Sequence, residues 1–253
     1  MVDVRRGNQL RKWFAVKHVG ADQVRLLLIR HAQSLGNLGR TGSVSDDPPL
    51  TELGLDQASA LARAFANGLL PRPDYLLTSL MRRAVQTVVP VAEVLRIPAL
   101  GRADLHEVGG VYSGDYWKGG GQSSPGLSRT QLLKLYSGLV LPQESTERGW
   151  FFRSFETIQE AWPRALRVAA GLLDEYGDTR DIIAVMCHGT FMQLILRALI
   201  GWSPTMTGPA LDVWIEMNNT GTIMVSVPGR YGDRAWLHWV NRTDHLTAGQ
   251  LTI

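Results

Sequence analysis

Residues 24–34 read Val24-Arg25-Leu26-Leu27-Leu28-Ile29-Arg30-His31-Ala32-Gln33-Ser34. A short apolar run of this kind is the pattern of a buried strand, and it breaks off into two polar side chains, Arg30 and His31. The run from Asp181 to Cys187 has the same character and ends in His188-Gly189-Thr190 ahead of a helix over Thr190 to Ile200. Between them, Thr51-Glu52-Leu53-Gly54 opens a helix whose apolar residues Leu55, Ala58, Leu61, Ala62 and Phe65 recur at helical spacing. Tyr75-Leu76-Leu77-Thr78 is a further strand, followed by a helix from Ser79 that Pro90 disturbs, and a third extended piece ends near Leu105. Phe155 to Tyr176 reads as a long helix that Pro163 kinks or divides. Asp212–Met217, Thr222–Val227 and Trp236–Val240 resemble an antiparallel ribbon. The alternation of strands and helices predicts an α/β fold, a three-layer α/β/α sandwich with a mainly parallel sheet.

The 253 residues are 45% hydrophobic and 19% charged, which excludes a disordered chain. Five of the 26 basic groups and one of the 23 acids lie in residues 1–20, so the rest carries 21 against 22. That neutral body gives no case for nucleic-acid binding, despite a pI near 9.2. Residues 1–20 are read as a basic lead and residues 21–253 as a single domain, with a Gly-rich insertion at about 108–150. The single cysteine, Cys187, excludes a disulfide framework and any zinc site of several thiolates. The most apolar stretch, Ile182 to Ile200, is interrupted by His188, Gln193 and Arg197, so a buried strand and helix are expected there and no membrane span. The expected location is the cytoplasm, and the sequence carries no mark of oligomeric state.

In open α/β sheets, ligands bind beyond the carboxyl ends of the strands. Arg30 and His31 fall at one such end and His188 at another. Ser79 and Arg83, four residues apart, are expected to share a face on the first turns of a helix. A lone histidine after a strand is most often a capped or buried one. Two histidines and two arginines together describe a site for a phosphate dianion.

Arg30-His31-Ala32-Gln33-Ser34 with Asn37 resembles the Arg-His-Gly motif of the histidine phosphatase superfamily, the phosphoglycerate mutase-like fold. The resemblance continues through Leu50-Thr51-Glu52-Leu53-Gly54, Ser79-Leu80-Met81-Arg82-Arg83, Leu105-His106-Glu107, Cys187-His188-Gly189 and Asn218-Asn219-Thr220, and reaches His245. Ala32 stands where the family usually has glycine. The resemblance implies a metal-independent phosphomonoesterase without cofactor, acting on a small phosphorylated substrate. His31 is then the nucleophile that becomes phosphohistidine, while Arg30, Arg83 and His188 hold the phosphoryl oxygens. Glu107 is then the general acid and afterwards the base, a role that wants a raised pKa. Asn37, Thr41 and Gly42 match the family's substrate-side loop.

Other readings fit less well. A cysteine phosphatase needs an arginine six residues beyond the thiol, and Gln193 stands there. Gly119-Gly120-Gly121 lacks the ending of a P-loop. Trp117, Trp150, Phe151 and Phe152 form either a lid or aromatic packing beneath a long loop. A phosphoglycerate mutase-type phosphotransferase needs further cations, yet residues 107–150 hold only Lys118, Arg129, Lys134 and Arg148, which favours hydrolysis. A non-catalytic phospho-ligand binding protein would have no need of the intact set of five side chains.

Overall fold

The run that opens the motif is strand β1 (Gln23–Arg30), and it lies near the middle of a seven-stranded sheet. The structure is a computed structural model that describes residues 23–38, 45–115, 120–201, 214–228 and 235–253. The basic lead, Thr41, Gly42 and Trp117 fall outside these residues. The other strands of this sheet are β2 (Tyr75–Ser79), β3 (Ala99–Arg102), β6 (Leu139–Val140), β7 (Ile182–Cys187), β8 (Thr222–Pro228) and β9 (Trp236–Arg242). Strands β4 (Tyr112–Asp115) and β5 (Gly120–Ser123) form a separate antiparallel pair. The order across the main sheet is β6-β3-β2-β7-β1-β8-β9, with the first five strands parallel, β8 antiparallel to β1 and β9 antiparallel to β8.

Among the described residues, five helices cover the sheet: α1 (Glu52–Ala66), α2 (Arg82–Leu95), α3 (Arg129–Leu135), α4 (Ile158–Tyr176) and α5 (Gly189–Leu199). Strand periodicity divides β1 between two layers. Leu27 and Ile29 pack on the side of α1 and α2, with Leu61, Phe65, Val85 and Val88. Val24, Leu26 and Leu28 pack on the side of α4 and α5, with Val168, Leu172, Phe191 and Ile195. This is the three-layer α/β/α sandwich with a mainly parallel sheet.

Local signals set the helix starts. Thr51 Oγ1 accepts the Gly54 N–H at 2.9 Å, and Thr157 and Glu160 form a reciprocal capping box at α4. Gly54 has a second reason to be glycine. A Cβ there would come within 2.0 Å of the Gln33 carbonyl oxygen, so only glycine lets α1 seat on the backbone that follows His31.

Several expected boundaries move. Pro163 lies inside α4 and does not divide it. The helix after β2 begins at Arg82, because Ser79 still belongs to the β2–β3 ladder, opposite Arg102. Trp214–Met217, the described part of the expected strand at 212–217, is no strand. Its backbone is engaged by side chains instead: the Ile215 N–H donates to Gln193 Oε1 at 2.6 Å, and the Met217 carbonyl accepts from Arg30. Within the described part of the 108–150 segment lie β4, β5, α3 and β6. Gly121 is required there, since a Cβ would meet the Ser113 carbonyl oxygen at 1.9 Å. Trp150 and Phe151 belong to the core and pack around His106, which favours aromatic packing over a lid for these two, whereas Phe152 is exposed.

Candidate active site

Three parallel strands end together. Arg30 pairs with Cys187 across β1 and β7, and Thr78 with Met186 across β2 and β7. The residues that follow, His31 and His188, therefore emerge side by side, with ring centroids 5.1 Å apart. Both are buried.

The backbone of His31 is held from three directions. Its N–H donates to the Cys187 carbonyl at 3.0 Å, and its carbonyl accepts from Asn219 Nδ2 at 3.1 Å. The next N–H, of Ala32, donates to Thr87 Oγ1 at 3.0 Å. The Ala32 side chain packs in a small cluster with Leu50 and Ala58, which accommodates its departure from glycine. The ring is fixed as well. Nδ1 lies 2.7 Å from the Ala32 carbonyl and must donate to it, so Nε2 carries the lone pair and accepts from Arg83 Nε at 3.0 Å. Burial, then Arg83 and Arg30, push the His31 pKa well below its ordinary value, so the imidazole is neutral.

The other named groups gather around this ring. His188 Nε2 lies 2.8 Å from Ser79 Oγ. Ser79 reaches the site from the end of β2 and Arg83 from the first turn of α2, so the two meet the site without sharing a helix face. Burial and the Arg83 charge hold His188 well below the usual histidine range. His188 Nδ1 and Arg30 Nε are both buried and make no hydrogen bond within the protein. Gly189 leaves room for that guanidinium, since a Cβ there would stand 3.2 Å from Arg30 Nε. Glu107 Oε1 accepts the N–H groups of Val108 and Phe191, each at 2.9 Å, and Oε2 that of Thr190 at 3.1 Å. Two of these donors belong to the first turn of α5. The Glu107 charge is felt by both Arg30 and Arg83, raising their pKa values against the lowering by burial.

Asn37 turns away from this group: its Oδ1 accepts from the Ser34 N–H at 2.9 Å and from Ser34 Oγ, which closes a local turn. Cys187 is fully buried, and burial pushes its thiol pKa up, contrary to what a nucleophilic thiolate needs.

Asp47 is a site residue that the sequence reading missed. Its two carboxylate oxygens accept the Arg82 N–H at 3.0 and 2.9 Å and so cap α2 from outside the helix. Oδ1 also lies 3.9 Å from Arg83 Nη1. Burial raises its pKa to about 6, against the pull of Arg83. No local pattern links Asp47 to a helix beginning 35 residues later. Thr87 and Ser79 were equally silent as partners of Ala32 and His188. Among the described residues, no three His, Cys, Asp or Glu side chains cluster as metal ligands, and no helix is long and apolar enough to cross a membrane.

A buried histidine pair and two arginines at the carboxyl edge of a parallel sheet are the hallmarks of one class of phosphoryl-handling protein, and the comparison with known families agrees. Residues 26–227 match the histidine phosphatase superfamily (branch 1), and the chain belongs to that family. A metal-independent phosphoserine phosphatase of Arabidopsis thaliana is 31% identical over 192 residues, 73% of this chain and 72% of that one. A 2,3-bisphosphoglycerate-dependent phosphoglycerate mutase of Chelativorans sp. is 28% identical over 180 residues, 68% of this chain and 85% of that one. The solved phosphoserine phosphatase of Entamoeba histolytica in complex with phosphoserine superposes with a TM-score of 0.57 at 20% identity, covering 88% of this chain and 100% of that one, a likeness of fold.

Proposed function

We propose that the protein is a metal-independent phosphomonoesterase that hydrolyses small phosphate esters through a phosphohistidine on His31. The observation that carries this reading is the state of His31: neutral, tied at Nδ1 to the Ala32 carbonyl, with its lone pair at Nε2 beside the Arg83 guanidinium. In the first step the Nε2 lone pair attacks phosphorus in line, the P–O bond to the leaving group breaks, and the alkoxide takes a proton from Glu107. In the second, the Glu107 carboxylate takes a proton from water, the hydroxide attacks phosphorus, and the P–N bond breaks to restore His31. Glu107 Oε2 accepts a single backbone bond, which leaves it room for that proton. Arg30, Arg83 and His188 hold the phosphoryl oxygens, and the unpartnered Arg30 Nε and His188 Nδ1 are suited to that task.

Relatives named as phosphoserine phosphatase and as phosphoglycerate mutase put small phosphorylated acids first among the esters to test. Hydrolysis is favoured over mutase transfer because the 107–150 segment is poor in cations, and Arg129 there reaches the Ser145 carbonyl at 3.4 Å. Asn37, with Thr41 and Gly42, stays a proposed substrate-side loop. Residues 21–253 are proposed as one domain behind a basic lead, working in the cytoplasm. The experiment is p-nitrophenyl phosphate hydrolysis with chelator present, wild type beside His31→Ala, with acid-quenched trapping of the phosphoenzyme. Chelator-resistant turnover and a label on wild type only are expected. Unchanged hydrolysis by His31→Ala, or loss of activity to the chelator, overturns the proposal.

A further inference from the structure

The backbone on both sides of His31 is gripped by side chains that take no part in the proposed chemistry. The His31 carbonyl accepts from Asn219 Nδ2 at 3.1 Å, and the Gln33 N–H donates to Gln57 Oε1 at 2.7 Å. Gln57 and Asn219 are both fully buried, although one lies on α1 and the other in the turn before β8. Residues 247–252 join them. Thr247 and Gln250 close a single tight turn over Ala248–Gln250, and Thr252 beyond it lies between the two amides. Gln57 Nε2 donates to the Gln250 carbonyl at 2.7 Å and to Thr252 Oγ1 at 2.8 Å. Thr252 Oγ1 donates in turn to Asn219 Oδ1 at 2.9 Å. The Thr252 carbonyl accepts from the Asn219 N–H at 2.8 Å and from Asn218 Nδ2 at 3.1 Å.

The direction of this relay is forced. The Gln33 N–H can only donate, so Gln57 Oε1 faces it and Nε2 turns to Gln250 and Thr252. Thr252 has one hydroxyl proton, and with Gln57 donating to its oxygen that proton goes to Asn219 Oδ1. The Asn219 amide is thereby oriented with Nδ2 toward the His31 carbonyl. One hydroxyl thus ties the two grips on the nucleophile together, in a series of bonds that polarise one another. The turn it braces is not at rest. Thr220, next to Asn219, is β-branched and stands at φ 57°. Its N–H donates to the Arg30 carbonyl at 3.1 Å and to the His31 carbonyl at 3.3 Å, so relaxation of this turn moves the backbone of the nucleophile.

We propose that Thr252 and Gln57 are positioning residues for His31: their hydrogen-bond relay fixes the backbone at residues 31 and 33, and with it the line along which Nε2 meets phosphorus. In-line attack tolerates little error, and a misplacement of about 1 Å can cost about 10² in rate. The groups that hold the phosphate have other anchors, Arg83 on α2 and Arg30 on the Met217 carbonyl. The relay therefore governs rate more than affinity. The inference rests on the reading of His31 as the nucleophile.

The test is rapid-quench hydrolysis of p-nitrophenyl phosphate, with active sites counted from the phosphoenzyme label and inorganic phosphate as competitive inhibitor. Thr252→Val keeps the shape and removes the hydroxyl. Its phosphorylation rate per active site should fall about tenfold or more, with the inhibition constant of phosphate within about twofold of wild type. Thr252→Ser restores the hydroxyl and should return the rate to within about threefold of wild type. Thr252→Ala carries the same measurement if the valine variant does not fold. A purely structural relay would lower the melting temperature and leave the rate per active site unchanged, and that result overturns the inference. So does a phosphate constant that rises as far as the rate falls, or a serine variant no faster than the valine one. A wild type that forms no phosphoenzyme overturns the reading of His31 and this inference together, whereas variants labelled at the wild-type rate overturn this inference alone.

Discussion

Arg83 Nε donates to His31 Nε2 across 3.0 Å, and this one bond joins the proposed nucleophile to its own electrostatic environment. The guanidinium selects the tautomer with its lone pair at Nε2, and its charge helps to keep the ring unprotonated. In the proposed mechanism, a phosphate entering the site exchanges this bond for one to its own oxygen, which leaves Nε2 free to attack.

The acid limb of activity follows from that pairing. A lowered His31 pKa keeps the nucleophile neutral, so kcat/KM should hold as pH falls through about 6.5 and decline only when pH reaches the depressed value. Arg83→Gln removes one of the lowering charges, so its acid limb should move to higher pH, with kcat down by about 10²–10³ from the lost oxyanion contact. A pH–rate profile of the two proteins checks both. An acid limb that shifts downward in the variant would contradict the assignment.

Glu107→Gln separates acid catalysis from binding. A protonated acid matters most for a poor leaving group, so hydrolysis of a phosphorylated aliphatic alcohol should fall by about 10²–10⁴. p-Nitrophenyl phosphate, whose leaving group needs little protonation, should lose far less in its phosphorylation step. Single-turnover rates on the two substrates give the comparison. Equal losses would remove Glu107 from the proton-transfer role.

Asp47 combines a cap with a counter-charge. Asp47→Asn keeps an acceptor for the Arg82 N–H and removes the charge facing Arg83. Asp47→Ala removes both and should cost about 0.5–2 kcal/mol of stability, as loss of a helix cap does. The expected order of melting temperature is wild type, then Asn, then Ala, with KM for phosphate esters raised in both variants. Identical melting curves for Ala and wild type would mean that the cap contributes nothing.

The protein should lose stability in mild acid. Burial lowers the pKa values of His31 and His188 well below the ordinary value, that of His106 to about 3 and that of His245 to about 4. The unfolded chain therefore takes up protons near pH 6.5 that the folded chain refuses, and stability falls as pH drops below about 6.5 toward those folded values. Asp47 opposes this: its pKa of about 6 exceeds its ordinary 3.8, so the folded state binds that proton first and gains between those values. Four groups outweigh one, at about 1.4 kcal/mol per pH unit for each proton. Thermal melts should therefore show a lower melting temperature at about pH 5 than at about pH 7. A higher one would mean that the histidines ionise in the fold.

Gly54→Ala tests the seating of α1. The added methyl would lie 2.0 Å from the Gln33 carbonyl oxygen, so backbone must move two residues from His31. Overpacking of this kind costs about 1–3 kcal/mol, and kcat/KM should fall with it. Wild-type melting temperature and activity in the variant would show that the loop yields freely.

The sequence by itself determined the layers and pointed to the residues of the proposed chemistry. The apolar runs of β1 and β7, the helical spacing after Thr51 and the residues Arg30, His31, Arg83 and His188 are local patterns, and local patterns survive in a linear text; Glu107 came only with the family resemblance. Tertiary structure alone decided who meets whom. Asp47 caps a helix 35 residues away, Thr87 holds the Ala32 N–H, Ser79 faces His188 across 109 residues, and Asn219 holds the His31 carbonyl across 188. These meetings depend on the order of strands in the sheet, which leaves no periodic trace in the chain. The same reason explains residues 214–217: their apolar pattern suited a strand, but Gln193 and Arg30 engaged the backbone groups that a ladder would have used.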